Sequence, residues 1–179
     1  MSKLLRGGRL GSIRDDVVRF ISSMESDKRI LKPVIEINKA HTIMLMEEGI
    51  IKPEDGASIL KALKGLRVLE LKQPVEDVHM AVEEEVTKAT GSDVGGNLHI
   101  AKSRNDQVST AIRMALRGEL IELMEATLNL QSKLIEKAWE NTETVIPGYT
   151  HLQPAQPITF AHYLISVFDA LGRDLNRLV

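Results

Sequence analysis

The 179-residue chain balances 23 Lys and Arg against 25 Asp and Glu, a net charge of −2. It therefore offers no basic footprint for nucleic acid and no charged patch for a membrane surface. It has no cysteine, which excludes disulfides and thiolate metal sites, and no apolar run approaching the ~20 residues of a membrane span, so a cytoplasmic protein is the expectation.

Hydrophobic residues make up 43% and aromatics only 3%, so the core must be aliphatic and methionine-filled, as in helical bundles. The chain opens on a basic segment whose Gly7, Gly8 and Gly11 disfavour helix. A first helix is predicted from about Ser12, burying Val17, Phe20, Ile21 and Met24, with Asp27 placed to cap the next element. That second helix is expected from about Arg29 to Glu48, with Pro33 in its first turn, where a missing N–H does no harm, and Gly49 at its C-terminus. His41 falls inside it and reads as structural. A third helix starts at Pro53 and runs to about Leu69, with Ile59, Leu60, Leu63 and Leu66 at helical spacing. Lys72-Gln73-Pro74 forms a hinge. A fourth opens at Glu76-Asp77 and ends at Gly91, and His79, just after the cap-like Asp77, stands near a helix start from which it can reach a ligand.

Ser92 to His99 is a loop by composition and the expected domain boundary. Residues 1–98 read as an N-terminal helical domain and 99–179 as the first part of a central bundle of long helices, the whole being all-α. Next, His99-Ile-Ala-Lys-Ser-Arg-Asn-Asp-Gln crowds polar side chains immediately before an apolar periodicity, with Ser103 in the N-cap position. A helix mouth presents free N–H groups and a positive dipole, to which Lys102 and Arg104 add full charges, so a carboxylate or phosphate is what such a place holds. Capping alone would need one oxygen. The helix predicted from Arg104 to Asn141 carries Ile112, Leu116, Leu120, Leu123, Leu130 and Leu134 on one stripe, and Met114, Ile121, Met124, Leu128, Ile135 and Trp139 on the next. Together they span roughly 200°, about twice what a helix lying on one core needs. A bundle shared between subunits is the natural home for it.

Ile146 to Pro157 holds three prolines, a glycine, two Gln and the pair Thr150-His151, and is expected to be irregular, with an acid/base group set between hydrogen-bonding neighbours. A last helix begins at Thr159, with Ala161, Leu164, Phe168, Leu171, Leu175 and Leu178 on one face, and still shows its apolar stripe at Val179. The chain is thus expected to be the N-terminal piece of something longer. Strand alternation, nucleotide-binding glycine fingerprints and a Gly-x-Ser-x-Gly elbow are absent, and His79, His99 and His151 are too far apart in sequence to support a zinc site.

Ser103-Arg104-Asn105-Asp106-Gln107-Val108, followed by Pro147-Gly148-Tyr149-Thr150-His151-Leu152-Gln153-Pro154-Ala155-Gln156-Pro157, resembles the argininosuccinate lyase family of the fumarase/aspartase superfamily. Gly7-Gly8-Arg9 and Glu76-Asp77-Val78-His79 occur in the same order, and Lys102 stands where that family often has Arg. The resemblance implies an all-helical subunit, a homotetramer built on the long helices, active sites assembled from three subunits, and reversible cleavage of argininosuccinate to arginine and fumarate without metal or organic cofactor. It implies that His151 is a catalytic acid/base residue and that Ser23, Asp27, Ser103, Arg104, Asn105 and Thr150 contact substrate, with His79 and Gln153 as further candidates. It also implies a third, serine-bearing motif beyond Val179, so the 179-residue chain alone is expected to be inactive. A related lyase on another succinyl compound, or a non-catalytic helical assembly protein, are the alternatives.

Overall fold

The computed structural model describes residues 14–66 and 76–178; the glycine-rich start and the Lys72-Gln73-Pro74 hinge lie outside them. The chain forms two compact units, Met1–Ala115 and Leu116–Val179.

In the first unit α1 (Asp15–Ile21) and α2 (Met24–Asp27) lead through a 3-10 turn (Lys28–Ile30) into α3 (Leu31–Glu47). Then come α4 (Pro53–Gly65), α5 (Val78–Thr90), α6 (Ser92–Gly95), a second 3-10 turn (Gly96–His99) and the start of α7 (Arg104–Trp139). Local sequence accounts for most of these boundaries. Pro53 takes the first position of α4 behind an extended Lys52, with Glu54 and Asp55 in the first turn beside the positive end of the dipole. Asp77 caps α5 by accepting from the Met80 N–H at 2.6 Å, and Gly91 ends it with φ 86°, a backbone region that side chains penalise. The third helix stops at Gly65, short of the expected Leu69.

Ile30, Val34, Ile35, Ile59, Leu63, Val78, Val82, Val86, Leu98 and Ala111 form the core, drawn from α3, α4, α5, α7 and the two 3-10 turns. Each large aliphatic side chain in it contributes roughly 1.5–3 kcal/mol relative to exposure. Three expectations are corrected here. The face that α1 buries is that of Val18, while Val17 is exposed and Phe20 is 90% exposed, because the short helix lies on the core along a different line from the predicted stripe. Asp27 makes no side-chain cap to the 3-10 turn that follows it; its carboxylate accepts instead from the Val78 N–H at the start of α5. The Ser92–His99 stretch is two single turns of helix; α6 packs so closely on α5 that a Cβ on Gly95 would lie 2.6 Å from the Thr87 Cα.

The second unit holds the rest of α7, a hairpin of β1 (Val145–Thr150) and β2 (Gln153–Thr159), and α8 (Phe160–Leu178). The expectation of irregular structure at Ile146–Pro157 is wrong. Val145 pairs with Thr159, Ile146 with Ile158 and Pro147 with Pro157; the register then shifts before Tyr149 pairs with Pro154 and Thr150 with Gln153. Prolines fit because a two-stranded ribbon is all edge, so a missing N–H can face outward. Gly148 sits at the shift, where a Cβ would come within 2.9 Å of the Gln156 carbonyl oxygen. The Phe160 N–H donates to the Thr144 carbonyl at 2.8 Å, and Thr159 Oγ1 accepts from the His162 N–H at 3.1 Å, so the ribbon feeds directly into α8. Gln131 of α7, itself buried, donates to the Phe168 carbonyl of α8 at 2.9 Å. No helix among the described residues is long and apolar enough to cross a membrane.

Candidate active site

Ser103 caps α7 as the sequence predicts: its carbonyl accepts from the Gln107 N–H at 3.2 Å and its hydroxyl from the Asn105 N–H at 3.2 Å. This places Ser103, Arg104 and Asn105 on the first turn, where N–H groups lack intrahelical partners and the dipole is positive. Ser103 and Asn105 are exposed, whereas Arg104 turns inward. Its guanidinium lies 3.6 Å from Asp77 Oδ2 through Nε and 3.3 Å from Glu83 Oε1 through Nη1, and Nη1 also donates to Gln107 Oε1 at 2.9 Å. Glu83 Oε1 is shared with His99 Nδ1 at 3.0 Å.

The start of α5 joins the same network. Ser23 Oγ donates to Asp27 Oδ2 at 2.7 Å, and that oxygen also accepts from the Val78 N–H at 3.2 Å, while the Ser23 N–H donates to the Glu76 carbonyl at 2.9 Å. The Ser23–Asp27 pair therefore binds the α2 turn to the mouth of α5. One residue further on, His79 is only 2% exposed, and neither ring nitrogen has a hydrogen-bond partner among the described residues. Burial lowers its pKa first and the Arg104 guanidinium lowers it further, against the pull of Asp77, Asp27 and Glu83, so the imidazole is held neutral. Arg104 Nη2 and Gln107 Nε2 are likewise buried without partners among the described residues. Buried polar atoms are rarely left this way, and such a set, a donor-rich group beside a neutral imidazole, fits a polar guest.

Of the residues singled out in the sequence, the structure brings Ser23, Asp27 and Arg104 to the start of α5, with His79 buried beside them without a hydrogen bond among the described residues and Ser103 and Asn105 at the mouth of α7. Lys102 departs from expectation. It adds no free charge at the mouth but is tied to Asn38 Oδ1 on α3, and burial, opposed by Glu83 and assisted by Arg104, lowers its pKa to about 8. Glu83 and His99 were not separable in sequence, since Glu83 is one of three consecutive glutamates and only burial marks it out. Among the described residues no cluster of three or more His, Cys, Asp or Glu has a metal-holding arrangement.

In the second unit Thr150 and Gln153 are paired across the end of the hairpin, and His151 and Leu152 form its two-residue turn. Both have positive φ, 49° and 62°, the pattern of a type I′ turn that usually takes Asn-Gly. A branched or bulky residue there costs about 1–3 kcal/mol, a strain that is kept at functional sites. The turn presents an exposed imidazole beside an exposed Thr150 and Gln153, and Leu152 is 93% exposed.

The sequence profile of a family described as Lyase matches residues 18–179. The chain is 43% identical over 182 residues to the argininosuccinate lyase of Methanocaldococcus jannaschii, covering 98% of this chain and 38% of that protein. It is 49% identical over 181 residues to that of Methanosphaera stadtmanae, covering 98% and 39%. It thus spans about two-fifths of the length of the curated relatives it matches. Among solved structures, EDDS lyase in complex with formate superposes with a TM-score of 0.78 at 32% identity, over 85% of this chain and 30% of that one. The mostly helical fold and these matches agree: the chain belongs to the lyase family, within the fumarase/aspartase superfamily.

Proposed function

We propose that the whole protein is an argininosuccinate lyase, a carbon–nitrogen lyase of arginine biosynthesis that cleaves argininosuccinate reversibly to arginine and fumarate. Identity of 43% and 49% to argininosuccinate lyases across nearly the whole chain is the observation that carries this reading. The chemistry needs a proton removed next to a carboxylate, and the negative charge that develops must be spread into that carboxylate by fixed donors. The first turn of α7, with Ser103, Arg104 and Asn105, supplies such donors. The departing guanidino nitrogen must gain a proton, and an imidazole, which titrates near neutrality, suits that step. His151 takes this role, with Thr150 and Gln153 beside it as substrate contacts. Ser23 and Asp27 brace the α5 mouth and also contact substrate, and His79 supplies a neutral imidazole beside Arg104.

The long helices self-associate into a homotetramer in the cytoplasm, and each active site draws its segments from more than one copy. The 179-residue chain, two-fifths of its relatives' length, is expected to release no fumarate by itself, as assay of the isolated chain with argininosuccinate checks. A second reading, a lyase acting on another succinyl compound, is favoured by the match to EDDS lyase, one variant of which holds fumarate. Substrate profiling of the full-length protein decides between them. Fumarate release is expected with argininosuccinate and not with adenylosuccinate; preference for another succinyl compound would overturn the first reading.

A further inference from the structure

The loop Ile100–Lys102 joins the second 3-10 turn to α7, and its conformation sets where the α7 mouth points. It has little regular structure of its own: Ala101 has φ 56°, a left-handed backbone that a non-glycine residue adopts only when held. Two side chains on α3 hold it. His41 Nε2 bonds the Ile100 carbonyl oxygen at 2.8 Å, across 59 positions of sequence. One turn earlier Asn38, 3% exposed, accepts from Lys102 Nζ on its Oδ1 while its Nδ2 donates to the Val34 carbonyl at 2.9 Å. Thr42, fully buried, donates to the Asn38 carbonyl at 2.7 Å, so the backbone that carries Asn38 is tied as well. The strained residue is thus bracketed by one anchor on each side, both from α3. Ser103, Arg104 and Asn105 follow directly.

We infer that Asn38 and His41 are positioning residues, which fix the Ile100–Lys102 loop against α3 and so hold the Ser103–Asn105 turn in register for its carboxylate guest. This rests on the reading of the α7 mouth as the substrate-carboxylate site, and gives two α3 side chains outside that mouth a part in the reaction. Donors aimed at charge that develops during the reaction lose most of their effect when displaced by an ångström, so the consequence falls on kcat more than on KM.

The test compares His41→Leu, which keeps bulk but loses the ring nitrogen, with His41→Gln, which keeps a donor able to reach the Ile100 carbonyl, in the full-length protein. Amide hydrogen exchange at Asn105 and Gln107 is measured beside kcat and KM for argininosuccinate. His41→Leu is expected to speed exchange about tenfold and to lower kcat about tenfold with KM changed less than about threefold, and His41→Gln to restore most of both. Asn38→Ala, which removes the acceptor for Lys102, is expected to give the same pair of changes. Unaltered exchange and kcat in His41→Leu, or a glutamine variant as impaired as the leucine one, would overturn the inference. If the wild-type protein does not turn over argininosuccinate, the functional reading fails, while the exchange comparison still decides whether α3 holds the loop.

Discussion

Lys102 shows how a single residue can read one way in sequence and act another way in the fold. Next to Arg104 at a helix mouth it looks like a second cation for an anionic guest. Its amine instead ties to Asn38, and loss of water there lowers its pKa to about 8 from 10.5. Between these two pH values the unfolded chain binds more protons than the folded one, so stability rises with pH across that window, by at most about 1.4 kcal/mol per pH unit. The exposed Lys88, Lys133 and Lys137 have raised pKa values, so their ion pairs lose strength only above 10.5 and do not mask the effect. Urea unfolding of the 179-residue chain at a series of pH values should show this rise, and the Lys102→Met variant should lack it. Equal slopes would mean that the lysine is solvated. His79 is the complementary case: its place near Asp77 was readable, its near-complete burial was not, because burial is set by segments distant in sequence.

Two elements define what could and could not be read. α7 was legible almost to the residue, Arg104 to Trp139 against an expected Arg104 to Asn141, because 3.6-residue periodicity over ten turns leaves no competing structure. The hairpin was not legible, since proline usually argues against strands, and only its two-stranded, all-edge form makes Pro147 and Pro157 tolerable. The broad apolar arc of α7 is real and uncovered: Leu116, Ile121, Leu123, Leu128 and Leu130 are each about half exposed, and Trp139 is 77% exposed. Singly exposed apolar residues are ordinary, but a continuous helical face of them is the mark of an interface. Leu123→Glu, placed on that face, is therefore expected to reduce the assembly mass of the full-length protein in light scattering while leaving helical content unchanged. An unchanged mass would remove this face from the interface.

At the scale of the molecule, the helical class and the main helices followed from composition and periodicity, while the polar contacts of Ser23, Asp27, Asp77, Glu83 and Arg104, and the burial of His79 beside them, depended on segments far apart in sequence. The two compact units carry different parts of the proposed chemistry: charge stabilisation at the α7 mouth in the first, proton transfer from a strained hairpin turn in the second. The proposed function requires both to serve one reaction. Fumarate release from argininosuccinate by the full-length protein, measured for the wild type beside His151→Asn, tests this most directly. The account predicts turnover by the wild type and a loss of about 10²–10⁴ in kcat for the variant, with assembly intact. Full activity in His151→Asn, or none in the wild type, would contradict it.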